Sequence, residues 1–105
     1  MAERHNIDIR NILERLLAAL REKTIRVAEA YLFGSFAHGE NTEYSDIDIA
    51  LVSEDFTGVR YLDIKKMGRI VRDIDCRIEI HSFSMQDKSN SMFLAEIIRT
   101  GIRVA

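Results

Sequence analysis

The sequence predicts a small α/β fold, a mixed sheet with helices packed on one face. Three observations lead there. Apolar residues recur at three- and four-residue spacing in three separate segments, the mark of helices that cover a sheet. Between those segments lie three short runs rich in β-branched and aromatic residues. Finally, helical and strand patterns alternate along the chain rather than forming separate blocks.

Taken in order, Asn6 to Lys23 reads as the first helix, with Ile9, Ile12, Leu13, Leu16, Leu17 and Leu20 as its stripe. Val27 to Phe33 is the first strand and ends at Gly34-Ser35. A helical turn over Phe36 to His38, stopped by Gly39, leads through the polar loop Glu40 to Tyr44 into the second strand, Ile47 to Ser53. After a loop from Ser53 to Gly58, the stripe Tyr61, Ile64, Met67, Gly68, Val71 and Ile74 predicts one helix over Val59 to Ile74. Its other side carries Lys65, Arg69 and Arg72, a basic face. Asp75 to Ser82 alternates as a third strand, Cys76, Ile78 and Ile80 on one face and Asp75, Arg77, Glu79 and His81 on the other. A polar connection over Ser84 to Asn90 precedes a helix from Ser91 to Thr100. Gly101 suits the left-handed residue that ends a helix, and Ile102 to Ala105 suits a short edge strand.

At 105 residues the chain is expected to be a single domain over 1–105, able to bury about two-thirds of its unfolded surface. A formal net charge of −2 provides no strong overall field for nucleic acid or anionic lipid, so neither is indicated as a partner. The single cysteine, Cys76, excludes an internal disulfide and reads as a small buried apolar residue in a reducing compartment. No apolar run approaches a membrane span, and the opening MAERHNIDIR lacks a signal peptide's apolar region. A cytoplasmic protein is the expectation.

One stretch resists explanation by packing alone. In Ser45-Asp46-Ile47-Asp48-Ile49-Ala50-Leu51-Val52, strand parity turns Asp46 and Asp48 to one face, their Cα atoms about 6.5 Å apart. Like charges at that spacing repel, and a cation is what normally holds them. If the second and third strands are neighbours in suitable register, Glu79 joins them. Asp75 shares its parity but sits at the strand's start. Three carboxylates so placed suit two divalent ions that clamp the attacking and leaving oxygens of phosphoryl transfer. An oxygen-only donor set favours Mg²⁺ or Mn²⁺ over zinc. Upstream, Gly34 lets a phosphate approach the backbone and Ser35 adds a donor.

Gly34-Ser35, then Gly39, then Ser45-Asp46-Ile47-Asp48 and Val52, resembles the signature of the DNA polymerase beta-like nucleotidyltransferase superfamily. The chain is most similar to its minimal nucleotidyltransferases (MNT), small proteins often paired as antitoxins with HEPN-domain toxins. The resemblance covers nearly the whole chain. It implies that Gly34 and Ser35 hold the triphosphate of ATP, and that Asp46, Asp48 and Glu79 are the catalytic and metal-binding acids for Mg²⁺. It further implies transfer of a nucleoside monophosphate, commonly AMP from ATP, to an acceptor hydroxyl. In some antitoxin members that hydroxyl is a tyrosine of the HEPN partner. His38 stands where many relatives carry Arg, and Glu79 where Asp is commoner. Small size leaves little surface for the acceptor, so a HEPN partner or a homodimer is expected to complete the cleft. The competing reading is a binding module that neutralises a HEPN partner by complex formation, without catalysis. A phosphatase with an aspartyl nucleophile is disfavoured, because the Gly-Ser element has no place in it.

Overall fold

Seven residues of β2, Ile47–Ser53, thread the middle of the sheet, and the rest of the molecule is arranged to cover them. The computed structural model describes residues 2–105, with side chains from Asp8 onward. The reading of the N-terminal segment as lacking a leader bears on Met1 and the side chains up to Ile7, which lie outside the described residues. The elements in order are α1 (Ala2–Glu22), β1 (Val27–Phe33), a 3-10 turn (Gly34–Phe36), β2, α2 (Arg60–Met67), α3 (Ile70–Ile74), β3 (Ile78–Phe83), α4 (Asp87–Asn90), α5 (Met92–Thr100) and β4 (Ile102–Arg103).

The sheet order is β3-β2-β1-β4. β1 runs antiparallel to both β2 and β4, whereas β2 and β3 are parallel and need the helical crossover through α2 and α3. The mixed α/β sheet expected from the sequence is therefore the one observed. On one face, Ile47, Ile49 and Leu51 meet Ile9, Ile12, Leu13, Leu16 and Leu20 of α1, together with Met67 and Ile80. This is the expected helical layer. On the other face, α5 adds a partial second layer, where Leu94 and Ile97 cover Tyr31, Ala50, Val52 and Phe83. Ser91 caps α5, its Oγ accepting from Leu94 N at 3.0 Å.

Several expectations need correction. The helix over Val59 to Ile74 is two helices, because Gly68 takes φ +68°, ψ −145° and ends α2. β3 begins at Ile78 rather than Asp75. The preceding residues instead form a turn, in which Arg77 donates from N, Nε and Nη2 to the Asp75 carboxylate at 2.8–3.0 Å. Cys76 consequently lies outside the alternation and is exposed, not buried. Gly101 is extended (φ −86°, ψ −176°) rather than left-handed. It is glycine for space: a Cβ there would stand 2.7 Å from Ile97 O and 2.9 Å from Leu32 O. The polar connection after β3 contains the short α4.

One buried carboxylate secures the crossover. Asp63, 1% exposed on α2, accepts from Thr57 N (2.8 Å), Thr57 Oγ1 (3.0 Å), Gly58 N (3.0 Å) and Ser82 Oγ (2.8 Å). It ties the loop before α2 to β3.

Candidate active site

The register of the sheet sets two of the predicted acids side by side. Phe33 lies opposite Asp48 across β1–β2, and Asp48 lies opposite Glu79 across β2–β3. Residues directly opposite on neighbouring strands, about 4.8 Å apart, present their side chains on the same face. Asp48 and Glu79 therefore share the face that α5 only partly covers. Asp46, two residues upstream at the mouth of β2, is exposed. Asp75, the alternative third acid, is off the strand and held by Arg77. Burial raises its carboxyl less than the Arg77 hydrogen bond lowers it, so it sits below the usual carboxylate range.

Gly34 ends β1 at φ +75°. A Cβ on this residue would stand 3.3 Å from Asp48 Cγ and would collide with Asp48 Oδ2. Both the backbone conformation and the proximity of the carboxylate thus require glycine here. Ser35 follows in the 3-10 turn, half-buried, with its carbonyl accepting from Glu40 N at 2.9 Å and His38 N at 3.3 Å. Those bonds fold the loop after β1 back towards the start of β2. Ser45 closes the same loop, its Oγ accepting from Thr42 N at 2.8 Å. His38 is exposed.

Two further residues contact the predicted ones. His81 Nε2 approaches Asp48 Oδ1 to 3.5 Å and is a buried nitrogen with no hydrogen-bond partner among the described residues. Its ring packs edge-on against Phe33 (centroids 4.9 Å apart) and Phe93 (5.9 Å). Arg60, the first residue of α2, forms an ion pair with Glu79. In this arrangement the Glu79 carboxylate is drawn towards Arg60, and among the described residues no three His, Cys, Asp or Glu side chains are gathered around one point. Strand parity signals His81 and Phe33, which share the face of Asp48. Nothing in the sequence marks Arg60, because its partner is 19 residues away.

Two cavities frame the picture. The larger, about 660 Å³, lies between α1 and β4, lined by residues such as Leu13, Leu17, Leu32 and Val104, and touches none of the candidate site residues. A smaller cleft of about 210 Å³ lies beside β3 and is lined by Arg60 and Glu79 among others. We centre the site on the carboxylates because their register and chemistry, not cavity size, define it. No helix among the described residues is long and apolar enough to cross a membrane.

Comparison with known proteins bears on the family and the fold. The family model of the nucleotidyltransferase domain matches residues 13–98, a span that includes every candidate site residue. A search of the curated proteins finds no match. Among solved structures, a protein from Sulfolobus solfataricus described as a candidate nucleotidyltransferase shares the fold with a TM-score of 0.56 and 22% identity. The match covers 98% of this chain and 79% of that one. The domain match over most of the chain shows that it belongs to the nucleotidyltransferase domain family.

Proposed function

We propose that this chain is a Mg²⁺-dependent nucleotidyltransferase that moves AMP from ATP to an acceptor hydroxyl. In this proposal the hydroxyl belongs to a HEPN-domain partner, and the chain acts as that partner's antitoxin. The observation that carries the transfer reading is the strand register that puts Glu79 opposite Asp48, with Gly34 seated against the Asp48 carboxylate.

The donor set suits a hard divalent cation. It consists of carboxylate oxygens, and glycine at position 34 lets the Asp48 carboxylate lie directly against the backbone, where a Cβ would collide with Oδ2. Asp46 and Asp48 would hold Mg²⁺, with Glu79 completing the set for a second ion. When bound, the ions supply neutralisation of the charge that develops on the phosphoryl oxygens and the departing pyrophosphate. Gly34 admits the triphosphate to the backbone, and the Ser35 hydroxyl donates to it. The acceptor oxygen attacks the α-phosphorus while the bond from that phosphorus to the bridging oxygen breaks, and pyrophosphate leaves. Glu79, released from Arg60, takes the hydroxyl proton.

A binding module that neutralises a HEPN partner by complex formation is the second reading. Its support is the exposure of the adjacent Met92 and Phe93 at the start of α5, 89% and 52% exposed, apolar side chains that a partner could cover. One experiment separates the two. Incubation with α-labelled ATP, Mg²⁺ and a HEPN partner is compared for the wild type, Asp46→Asn, Asp48→Asn and Glu79→Gln. Transfer falls about a thousandfold or more in each variant if the acids are catalytic. Undiminished neutralisation of the partner by all three folded variants would establish the binding module instead.

A further inference from the structure

The 210 Å³ cleft beside β3 is set apart from the nucleotide's side of the site, yet it shares one residue with it. β3 is an edge strand, paired only to β2, and the cleft lies between it and residues of α2 and α3. Glu79 belongs to both places. Across the sheet it is the partner of Asp48, and at the sheet's edge it lines the cleft with Arg60 and Arg72.

We infer that this cleft is the acceptor subsite and that it takes an anionic, hydroxyl-bearing group. The anion sits on Arg60 and Arg72, and the hydroxyl is presented to Glu79. The assignment to the acceptor rests on the transfer step proposed above and not on the HEPN partner, whereas the preference for an anion rests on the cleft alone.

The cleft is small for a whole nucleotide. A volume of 210 Å³ equals the liquid share of about seven waters and falls below the roughly 300–1,000 Å³ usual for whole-ligand pockets. Charge selects the ligand's sign. Arg60 and Arg72 line the cleft, and Lys23 Nζ lies 3.1 Å from where a Cβ on Gly68, another lining residue, would stand. The lining itself thus carries two cations, Arg60 and Arg72, against one carboxylate, Glu79. A concave, low-dielectric wall concentrates the resulting field. Apolar side chains of Ile64, Met67 and Ile78 give the ligand's carbon skeleton a surface to cover.

The Arg60–Glu79 ion pair then has a role. An incoming anion offers Arg60 a replacement partner. Glu79 is released at the moment the hydroxyl arrives beside it, and the hydroxyl proton passes to its carboxylate as the new phosphorus–oxygen bond forms.

Cys76 supplies the test, since it is the single cysteine, is exposed and lines this cleft. Its labelling rate is measured, without nucleotide, using the dianionic reagent dithiobisnitrobenzoate and the neutral reagent dithiodipyridine. The rate ratio of anionic to neutral reagent should fall about fivefold or more in Arg72→Gln, and likewise when salt is raised in the wild type. Glycerol phosphate and glycerate should slow labelling, and glycerol should not. Whichever anion protects at lower concentration identifies the acceptor's charge as phosphate or carboxylate. An unchanged ratio in Arg72→Gln, or no protection by either anion, would overturn the proposal. Mg²⁺–ATP affinity should stay within twofold after Cys76 is blocked. Its loss on blocking would assign the cleft to the nucleotide and overturn the acceptor assignment. Absence of Mg²⁺–ATP binding in unlabelled protein would instead defeat the transferase reading and leave the anion result standing.

Discussion

Replacing Gly34 by alanine tests the close fit at the centre of the site, and Gly39→Ala is its built-in control. Both glycines have positive φ, +75° and +70°. Each substitution therefore forces an L-residue into a left-handed conformation, at a cost of about 1–2 kcal/mol. For a chain of this size that lowers Tm by about 4 °C or more. The surroundings differ. A Cβ at Gly39 meets nothing within 4 Å, whereas at Gly34 it stands 3.3 Å from Asp48 Cγ and overlaps Oδ2. The Asp48 carboxylate must rotate away, and a displacement of about 1 Å at a reacting centre costs about a hundredfold in rate. Thermal unfolding of both variants, paired with ATP transfer and Mn²⁺ binding followed by paramagnetic resonance, gives the comparison. Similar losses of Tm should accompany a hundredfold loss of transfer and weakened Mn²⁺ binding in Gly34→Ala alone. Equal loss of activity in the two variants, or full activity in Gly34→Ala, would refute the claim that glycine is there for Asp48.

Two further outcomes follow from the polar contacts. Asp63→Ala should destabilise the fold by about 3–5 kcal/mol in urea unfolding, because it leaves the buried Ser82 hydroxyl and the amides of Thr57 and Gly58 without their shared acceptor. A loss below about 1 kcal/mol would mean that water replaces the carboxylate. Arg26 donates to Asp55 from its backbone N and its guanidinium, and these bonds, the side-chain one first, pull the Asp55 carboxyl down to about 2. Its folded pKa is below the unfolded value of about 3.9, so the stabilisation is present above about pH 4 and fades as pH falls towards 2. Asp55→Asn should flatten that acid-side loss in unfolding curves measured from pH 5 to pH 2, and an unchanged slope would remove Arg26–Asp55 as its source.

β1 and β2 were legible because local pattern and tertiary role coincide there. Ile47, Ile49 and Leu51 alternate with Asp48 and Ala50, and the sheet buries the first set under α1. Legibility failed where one residue type serves two physical purposes. Gly68 lies on a helical stripe whose apolar partners, Met67 and Val71, continue past it, so periodicity bridges a break that backbone conformation imposes. Gly101 follows a helix as a left-handed terminator does, yet it is needed for the approach of Ile97 O and Leu32 O. Residues Asp75 to Arg77 continue the alternation of β3 by chance of composition. The Asp75–Arg77 side-chain bonds stabilise a turn instead, which exposes Cys76. Parity is informative only once a residue is known to be on the strand.

At the candidate site, the sequence revealed the carboxylates but not what accompanies them. Mutual repulsion of Asp46, Asp48 and Glu79 argues for a cation, and the structure shows how the fold meets the same electrostatic demand from its own side chains. Asp46 stays in solvent, and Glu79 is paired with Arg60. Arg60 is permanently charged, and it comes from the crossover helix rather than from the sheet. Its 47% side-chain exposure leaves it free to turn towards solvent or towards another anion. Rigid strands thus fix the acids, while the neutralising charge sits on a side chain that can leave. A charge balance of that kind lets the sheet fold around its acidic patch and still yield that patch to a ligand.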